Sequence, residues 1–198
     1  MSDSNPPPAP LGLPPNYPEE YIQEVTLRDG SMVTIRPIRP DDASRLQAGF
    51  ARLSPQSIYL RFLESFKELP DKQAQNFATV DYQTRMALVA EIQENGRPHL
   101  IGVARYGLVE DRGPGIAESA VVVVDEYQGR GLGTILLQHL VNYAQAHDVR
   151  AFLATVHMTN AKIMRFVQKS GFPSEKKMTE PGVWEVQIFL EGGYDQPA

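Results

Sequence analysis

The chain has 198 residues, of which 42% are hydrophobic and 22% are charged, enough apolar material for one sizeable core. Lys and Arg number 19 against 24 Asp and Glu, a formal charge of -5, and without a basic stripe this argues against a nucleic-acid binder. Because there is no cysteine, disulfides, thiolate metal sites and a cysteine nucleophile are excluded, and the histidines lack the spacing of a helical zinc motif.

Residues 1 to 18 are rich in proline and contain one charged residue, Asp3. This composition predicts a disordered, polyproline-like tail. The tail has neither the basic start nor the apolar run of a signal peptide, and the longest uncharged stretch, Gly131 to His147, is too polar to span a membrane. We therefore expect a cytoplasmic protein that does not bind membranes.

The first half of the chain predicts a hairpin followed by three helices. Apolar residues alternate on both sides of Asp29-Gly30, which is the pattern of two strands joined by a tight turn. The helices are indicated by apolar residues at helical spacing and by acids, Ser-Pro or Pro at their starts. They run from Ala43 to Leu53, from Ser54 to Phe66 and from Pro70 to Ala78.

The second half predicts strands and helices that build a mixed sheet. The predicted strands are Met86–Ile92, His99–Val109, Ala117–Val124, Ala151–Val156, Phe172–Met178 and Val183–Leu190, and the predicted helices are Gly131–His147 and Asn160–Ser170. The strand–helix–strand order makes Ala117–Val124 and Ala151–Val156 parallel, while the rest of the sheet is antiparallel. We expect one domain of mixed α/β architecture over residues 19–192, with residues 193–198 as a C-terminal tail.

A glycine-rich turn between a buried strand and a helix carries the chemical signal. Gly129, Gly131 and Gly133 follow the strand that ends at Val124, and such a turn lets backbone N–H groups approach a phosphate at a helix start. The dinucleotide fingerprint is excluded because Thr134 stands where its third glycine belongs, and no Gly-Lys-Ser/Thr triplet occurs. A glycine turn without a ligand remains the alternative from spacing alone.

The spacing Gln128-x-x-Gly131-x-Gly133 resembles the acetyl-CoA signature of the GNAT superfamily of N-acetyltransferases. The order of strands and helices is similar from about residue 34 to residue 190. Three stretches, Thr34 to Asp42, Leu53 to Phe62 and Ala117-Glu118, resemble the catalytic domain of bacterial Pat-type protein lysine acetyltransferases. The resemblance implies the GNAT fold, with a mostly antiparallel central sheet flanked by helices.

The same resemblance implies acetyl-CoA as cosubstrate and assigns the residues that bind it, with no metal. The backbone of Val122, Val123 and Val124 would pair with the pantetheine arm like an added strand. The N–H groups of the glycine turn would hold the pyrophosphate, namely those of Gln128, Gly129, Arg130, Gly131, Leu132, Gly133 and Thr134. Arg130 would add positive charge. Asn160 matches a position that touches the cofactor arm, and a helix cap is its alternative interpretation.

Acetyl transfer requires a neutral amine, and a lysine with a pKa of ~10.4 is neutral in about one molecule in a few thousand at pH 7. A positioned base therefore helps. Glu118 is the candidate, since alternation places it on the face of Ala120 and Val122, and it matches the base of Pat-type enzymes. The alternative is a solvated carboxylate at a strand end. We interpret Asp125 and Glu126 as solvated.

One position departs from the common GNAT pattern. Many of these enzymes have a tyrosine that protonates the leaving thiolate. Val167 stands at that position in this chain, and the Pat-type enzymes that the chain resembles also manage without the tyrosine. A thiol with a pKa of ~8.5 is a tolerable leaving group, so solvent can suffice. His157 follows a buried strand near the expected acceptor channel, and a partly exposed histidine is the simpler interpretation.

The leading functional hypothesis is an acetyl-CoA-dependent protein Nε-lysine acetyltransferase that acts on acyl-CoA synthetases such as acetyl-CoA synthetase. The alternatives are acetylation of a small amine or a protein N-terminus, and a CoA-sensing module without turnover. Tyr59 and Arg61 suggest an acceptor surface, although a core tyrosine and a solvated arginine explain them equally well. The sequence leaves the acyl preference and the oligomeric state open.

Overall fold

The computed structural model describes residues 12 to 191. The expected disorder of residues 1 to 11 and the expected C-terminal tail, residues 193–198, lie outside the described residues. Within the described range, no helix is long and apolar enough to cross a membrane.

The central sheet confirms the predicted mixed, mostly antiparallel architecture. Its strands are β1 (Gln23–Thr26), β2 (Met32–Pro37), β3 (Arg85–Glu94), β4 (Arg97–Leu108), β5 (Ile116–Val123), β6 (Ala151–His157), β7 (Ser174–Glu180) and β8 (Val183–Phe189). They lie in the order β1-β2-β3-β4-β5-β6-β8-β7. Every neighbouring pair is antiparallel except β5 and β6, which are parallel as the strand–helix–strand unit requires.

Helices cover both faces of the sheet. They are α1 (Ala43–Phe50), α2 (Pro55–Phe62), α3 (Asp71–Ala78), α4 (Leu132–Ala146) and α5 (Ala161–Lys169). On one face, Leu136 and Leu140 of α4 join a core with β-strand residues such as Leu88. On the other face, α1 to α3 pack through residues such as Phe50 and Ile58.

The second helix ends earlier than its apolar spacing predicts. It begins as expected, because the Ser54 side chain accepts a hydrogen bond from the first turn and Pro55 occupies the first position. It ends at Phe62 because Leu63 adopts the left-handed conformation, with φ of 56°. The predicted extension to Phe66 is therefore wrong. Phe66 still packs on the core with its ring 5.3 Å from that of Phe62, so its apolar character reflects tertiary packing.

The packed part of the chain begins before residue 19. The Tyr17 hydroxyl donates to the carbonyl of Pro37 over 2.9 Å, and its ring meets the edge of the Tyr82 ring at 5.6 Å. Pro18 is buried. The last two residues of the proposed tail are thus held on the domain, because the aromatic ring of Tyr17 finds an apolar neighbour that a composition argument does not reveal.

Candidate active site

A gap opens in the sheet where β5 and β6 separate. Their register pairs Ile116 with Ala151 and ends with Glu118 opposite Leu153. Beyond Glu118, the last residues of β5 pair with β4 alone, whereas β6 stays paired with β8. The strands therefore diverge at the position of the proposed base.

A cavity of about 320 Å³ passes through this gap. Its walls come from Arg61 of α2 on one face, from Glu118 at the level of the sheet, and from α4 and α5 on the other face, including Leu137 and Val167. A single cavity thus joins the two faces of the sheet, with the Glu118 carboxylate lining it.

Fewer backbone groups of β5 face the gap than the sequence predicts. The Val124 N–H donates to the Ile101 carbonyl of β4 over 2.9 Å, and alternation turns Val122 the same way. Val121 and Val123 consequently face the gap. The Val123 carbonyl already accepts a hydrogen bond from the Gln128 side-chain amide, at 2.9 Å. An extended ligand can therefore form hydrogen bonds with the backbone of Val121 and with the Val123 N–H.

The glycine turn forms a cradle of backbone donors. Gly129 and Gly131 adopt φ of 78° and 93°, a left-handed conformation that glycine accommodates without strain. Over residues 129 to 133, the N–H groups donate to no acceptor among the described residues, and α4 begins at Leu132. Two predicted donors are engaged, because the Gln128 N–H binds the carbonyl of residue 125 and the Thr134 N–H binds that of Gly131.

This cradle suits a pyrophosphate. A side chain at Gly129 would meet nothing within 4 Å, so a ligand has open space above the turn. Unsatisfied N–H groups at the start of α4 attract negative charge. The donor set therefore fits the cofactor that the sequence signature implies.

The arginine nearest the cradle is not the one that the sequence suggests. Arg130 binds the Asp29 carboxylate at 2.6 Å and the carbonyl of Glu126 at 2.7 Å, so its charge is already compensated. Arg28, at the turn between β1 and β2, lies against Gly131, with its Nε 3.3 Å from the position that a Cβ there would take. No local motif indicates Arg28, because Arg28 and Gly131 lie far apart in the sequence.

Glu118 stands where alternation predicts. It lies on the same face of β5 as Ala120 and Val122, both of which line a neighbouring cavity under α1 to α3. Its side chain is exposed and makes no hydrogen bond to any described residue. The Glu118 carboxylate is therefore accessible to a ligand that enters the cavity.

The residues of α5 meet the cavity in two ways. The Asn160 side chain caps the helix by accepting the Ile163 N–H at 3.3 Å, and Asn160 also lines the cavity. The cap interpretation is confirmed, and the contact with a cofactor arm stays a prediction. Val167 is buried in the cavity wall, so no hydroxyl stands at the position of the common tyrosine.

Asp125 is not the solvated residue that we expected. Its carboxylate accepts hydrogen bonds from the Ser54 N–H and hydroxyl at 2.9 and 2.8 Å and from the Ser57 hydroxyl at 3.0 Å. Burial opposes its ionisation, but these donors and the charge of Lys162 hold the pKa of Asp125 below its usual range. The segment that leads into the glycine turn is thereby tied to the start of α2. Glu126 remains exposed and pairs with Arg52 at 2.7 Å.

The second helix contributes two side chains to the surroundings of the cavity, contrary to the alternative of a core tyrosine and a solvated arginine. Tyr59 is exposed rather than in the core, and its ring meets the edge of the His157 ring at 5.4 Å. The Arg61 guanidinium is desolvated rather than solvated, which lowers its pKa, and Arg61 lines the cavity. His157 also hydrogen-bonds the Thr159 hydroxyl, at 2.8 Å. These side chains lie on the face opposite α4.

Residues 52–172, more than half of the chain, match the acetyltransferase (GNAT) family. The chain belongs to this family. It is 32% identical over 151 residues to the acetyltransferase PA5475 of Pseudomonas aeruginosa, which covers 76% of this chain and 80% of that protein. It is 29% identical over 147 residues to the acetyltransferase Pat of Mycolicibacterium smegmatis, covering 74% of this chain but 43% of Pat.

A solved structure supports the same assignment. The crystal structure of the GNAT domain of S. lividans PAT matches with a TM-score of 0.77 and 31% identity, covering 88% of this chain and 99% of that one. The GNAT protein described here is therefore an N-acetyltransferase, and enzymes of this fold use acetyl-CoA. Within residues 12–191, no three His, Asp or Glu side chains are grouped so as to hold a metal ion.

Proposed function

We propose that this GNAT protein is a protein Nε-lysine acetyltransferase of the cytoplasm, with acyl-CoA synthetases such as acetyl-CoA synthetase as acceptors. The observation that carries the proposal is the cavity through the sheet, because it places Glu118 between α4 and α5 on one face and α2 on the other. The similarity to Pat proteins, and the Pat-type stretches of the sequence, support a protein as the acceptor.

The surface near the second face also favours a large acceptor. Tyr59 beside the cavity is 39% exposed, and Met158, directly after His157, is 59% exposed. Exposed apolar and aromatic side chains are typical of surfaces that bind proteins. A lysine on a docked protein can extend from this surface toward Glu118.

The residues of the site divide the reaction between them. The N–H groups of residues 129 to 133 bind the pyrophosphate, and the free edge of β5 orients the pantetheine arm. Acetyl-CoA would supply the thioester. The neutral amine forms a bond to its carbonyl carbon, the bond from that carbon to sulfur breaks, and coenzyme A leaves as a thiolate that solvent protonates. Glu118 takes the proton from the lysine ammonium, directly or through water, which makes the amine nucleophilic. Acetylation of a catalytic lysine removes a charge and a donor, which would switch off a synthetase.

The experiment incubates purified acetyl-CoA synthetase with labelled acetyl-CoA and the enzyme, and maps the labelled site by mass spectrometry. We expect one acetyl group per synthetase and loss of synthetase activity, with slower labelling of an isolated peptide that carries the same lysine. The Glu118→Gln variant is the control for non-enzymatic labelling. Faster acetylation of spermidine, aminoglycosides or free amino acids than of any protein would contradict the proposal.

A further inference from the structure

Two arginines lie on the acceptor side of the sheet beside Glu118. A small apolar cavity of about 70 Å³ lies between the first three helices and strands β4 and β5, and both Arg61 and Arg105 line it. Arg61 lines the larger cavity as well, and so connects the two. In the register of the sheet, Arg105 is opposite Ala120, two residues along β5 from Glu118. The two guanidinium groups therefore border the space that an acceptor amine must enter.

Neither guanidinium has a carboxylate within ion-pair distance among the described residues. The charge of Glu118 reaches Arg61 from further away and raises the Arg61 pKa, against the larger effect of burial. Across residues 12–191, neither makes an ion pair or a hydrogen bond, and their close contacts are with aromatic rings. The Arg61 Cζ lies 4.6 Å from the centre of the Phe62 ring, and the Arg105 Cζ lies 4.4 Å from that of Phe77. A ring face attracts a cation but does not neutralise it.

The fold compensates Arg36, a buried arginine, differently. Arg36 is buried at the end of β2, and its guanidinium binds both oxygens of Asp42 at 2.8 Å and also binds Glu91 at 2.7 Å. A structural arginine in this protein is thus surrounded by carboxylates. Arg61 and Arg105 are partly buried and have no such hydrogen-bonded carboxylates, so their guanidinium groups remain available to an anionic ligand.

The two charges also act on each other. Burial, together with the positive charges of Arg61 and Arg85, lowers the pKa of Arg105 to about 10. Arg105 is still a cation at neutral pH. Glu118 is the one acidic residue that lines either cavity. It cannot remain a fixed counter-ion, since in the proposed reaction it takes up a proton and loses its charge.

We propose that Arg61 and Arg105 form an anion subsite that binds a carboxylate of the acceptor next to its reactive amine. This inference rests on the proposed function in so far as the acceptor is an amine. The carboxylate comes either from an acidic side chain beside the target lysine of a protein, or from the α-carboxylate of a free amino acid. In both cases the carboxylate of the acceptor supplies a negatively charged partner for the two guanidinium groups.

The test compares acceptors that differ only in a carboxylate. One pair is the blocked dipeptide Lys-Glu and its Lys-Gln analogue, and the other is L-leucine and L-leucinamide. In the wild-type enzyme we expect kcat/KM to be ~10–100-fold higher for the carboxylate member, the effect of a hydrogen bond to a charged group. Arg61→Met and Arg105→Met should reduce this preference to about one. Arg97→Met, at the far end of β4, should retain it. The pair that shows the preference identifies the source of the carboxylate.

A second measurement does not depend on turnover. The melting temperature is recorded for each protein with increasing Lys-Glu, Lys-Gln, leucine and leucinamide, and we expect a rise with the carboxylate members that both arginine variants lose. Without ligand, Arg61→Met and Arg105→Met should melt no lower than wild type, because a partly desolvated cation without a hydrogen-bonded carboxylate is replaced by an apolar side chain. A large fall in melting temperature would show a structural role and overturn the proposal.

Equal kcat/KM and equal melting shifts within each pair would also overturn the anion subsite, whichever acceptor class is used. By contrast, a carboxylate preference seen with leucine, while no protein is acetylated, would leave the subsite in place and refute the lysine acetyltransferase. The two failures are thus distinguishable.

Discussion

Glu118 occupies the position in the sheet at which β5 loses its second neighbour. A residue earlier in β5 would be enclosed between two strands, and a residue later would lie beside the free edge that we propose for the cofactor. Its carboxylate therefore reaches the gap without obstructing it. This is a geometric reason for a base at this residue, independent of any sequence resemblance.

Replacing Glu118 with Gln tests this role. We expect turnover to fall by ~10²–10⁴-fold, because the general base is lost, while the affinity for acetyl-CoA stays unchanged. Part of the loss should be regained at high pH, where more of the acceptor amine is neutral. Steady-state kinetics against pH and calorimetry with acetyl-CoA measure both effects. Glu110→Gln, an exposed acid after β4, is the matched control, and wild-type turnover in Glu118→Gln would exclude this residue from the mechanism.

The cradle of backbone donors predicts the effect of a substitution at Gly129. Gly129→Asp places a carboxylate beside the free N–H groups, where it would compete with and repel a pyrophosphate, so acetyl-CoA should bind at least ~10-fold more weakly. Gly96→Asp is the matched control, because both glycines have positive φ and neither would bring a Cβ within 4 Å of another atom. Backbone strain is thus comparable in the two variants. Equal affinities by calorimetry would place the pyrophosphate elsewhere.

The sequence predicts site residues that lie close together along the chain. It does not predict contacts between residues that are far apart in the sequence. The turn of residues 128 to 134 and Glu118 follow from local spacing, alternation and resemblance. Arg28 beside Gly131 and the bonds from Ser54 to Asp125 depend on how distant loops meet in the folded sheet. Periodicity contains no information on such contacts.

At the scale of elements, an ion-paired cluster joins β2, β3 and the start of α1. Asp42 is fully buried and receives the Arg36 guanidinium, the Arg39 N–H at 2.8 Å and the Arg45 guanidinium at 2.6 Å. Burial opposes the ionisation of Asp42, yet these donors hold its pKa below the usual range. The cluster fixes the first helix against the sheet on the acceptor side.

Asp42→Asn should lower the free energy of unfolding by ~3–5 kcal/mol, since it leaves a buried guanidinium partly uncompensated. A lowered pKa contributes stability that is present above the unfolded-state pKa of ~3.9 and is lost as the pH falls through the folded-state value. The difference from wild type should therefore be constant near neutral pH and shrink in acid. Denaturant unfolding at several pH values measures it, with exposed Asp111→Asn as control. A difference that grows in acid would contradict this account.

The start of a helix is easier to predict from the sequence than its end, as α2 shows. The start of α2 has a local signal, the Ser54-Pro55 pair, and the structure confirms it. Its end depends on the left-handed Leu63, a conformation that leucine rarely adopts and that no residue type announces. Strands were predicted to within a few residues because burial on one or both faces imposes a period.

In the molecule as a whole, the sheet separates two groups of helices and has an opening between β5 and β6. The cradle and the free edge of β5, which we propose as the cofactor site, lie on the side of α4 and α5, whereas α1 to α3 cover the other face, and the cavity opens to both faces. A partition of this kind lets both substrates be present at once. It makes a covalent acetyl-enzyme unnecessary, and with no cysteine in the chain the most nucleophilic side chain for such an intermediate is missing.

We therefore expect sequential kinetics through a ternary complex. Double-reciprocal plots at several acetyl-CoA concentrations should intersect, because the amine and the thioester meet directly through the gap, and parallel lines would indicate an acetyl-enzyme. A chase experiment completes the test, since surface lysines can also become acetylated. Enzyme incubated with labelled acetyl-CoA and then freed of it should pass no label to a fresh acceptor. Transfer of that label would show that one substrate leaves before the other binds, and that the opening in the sheet does not hold both together.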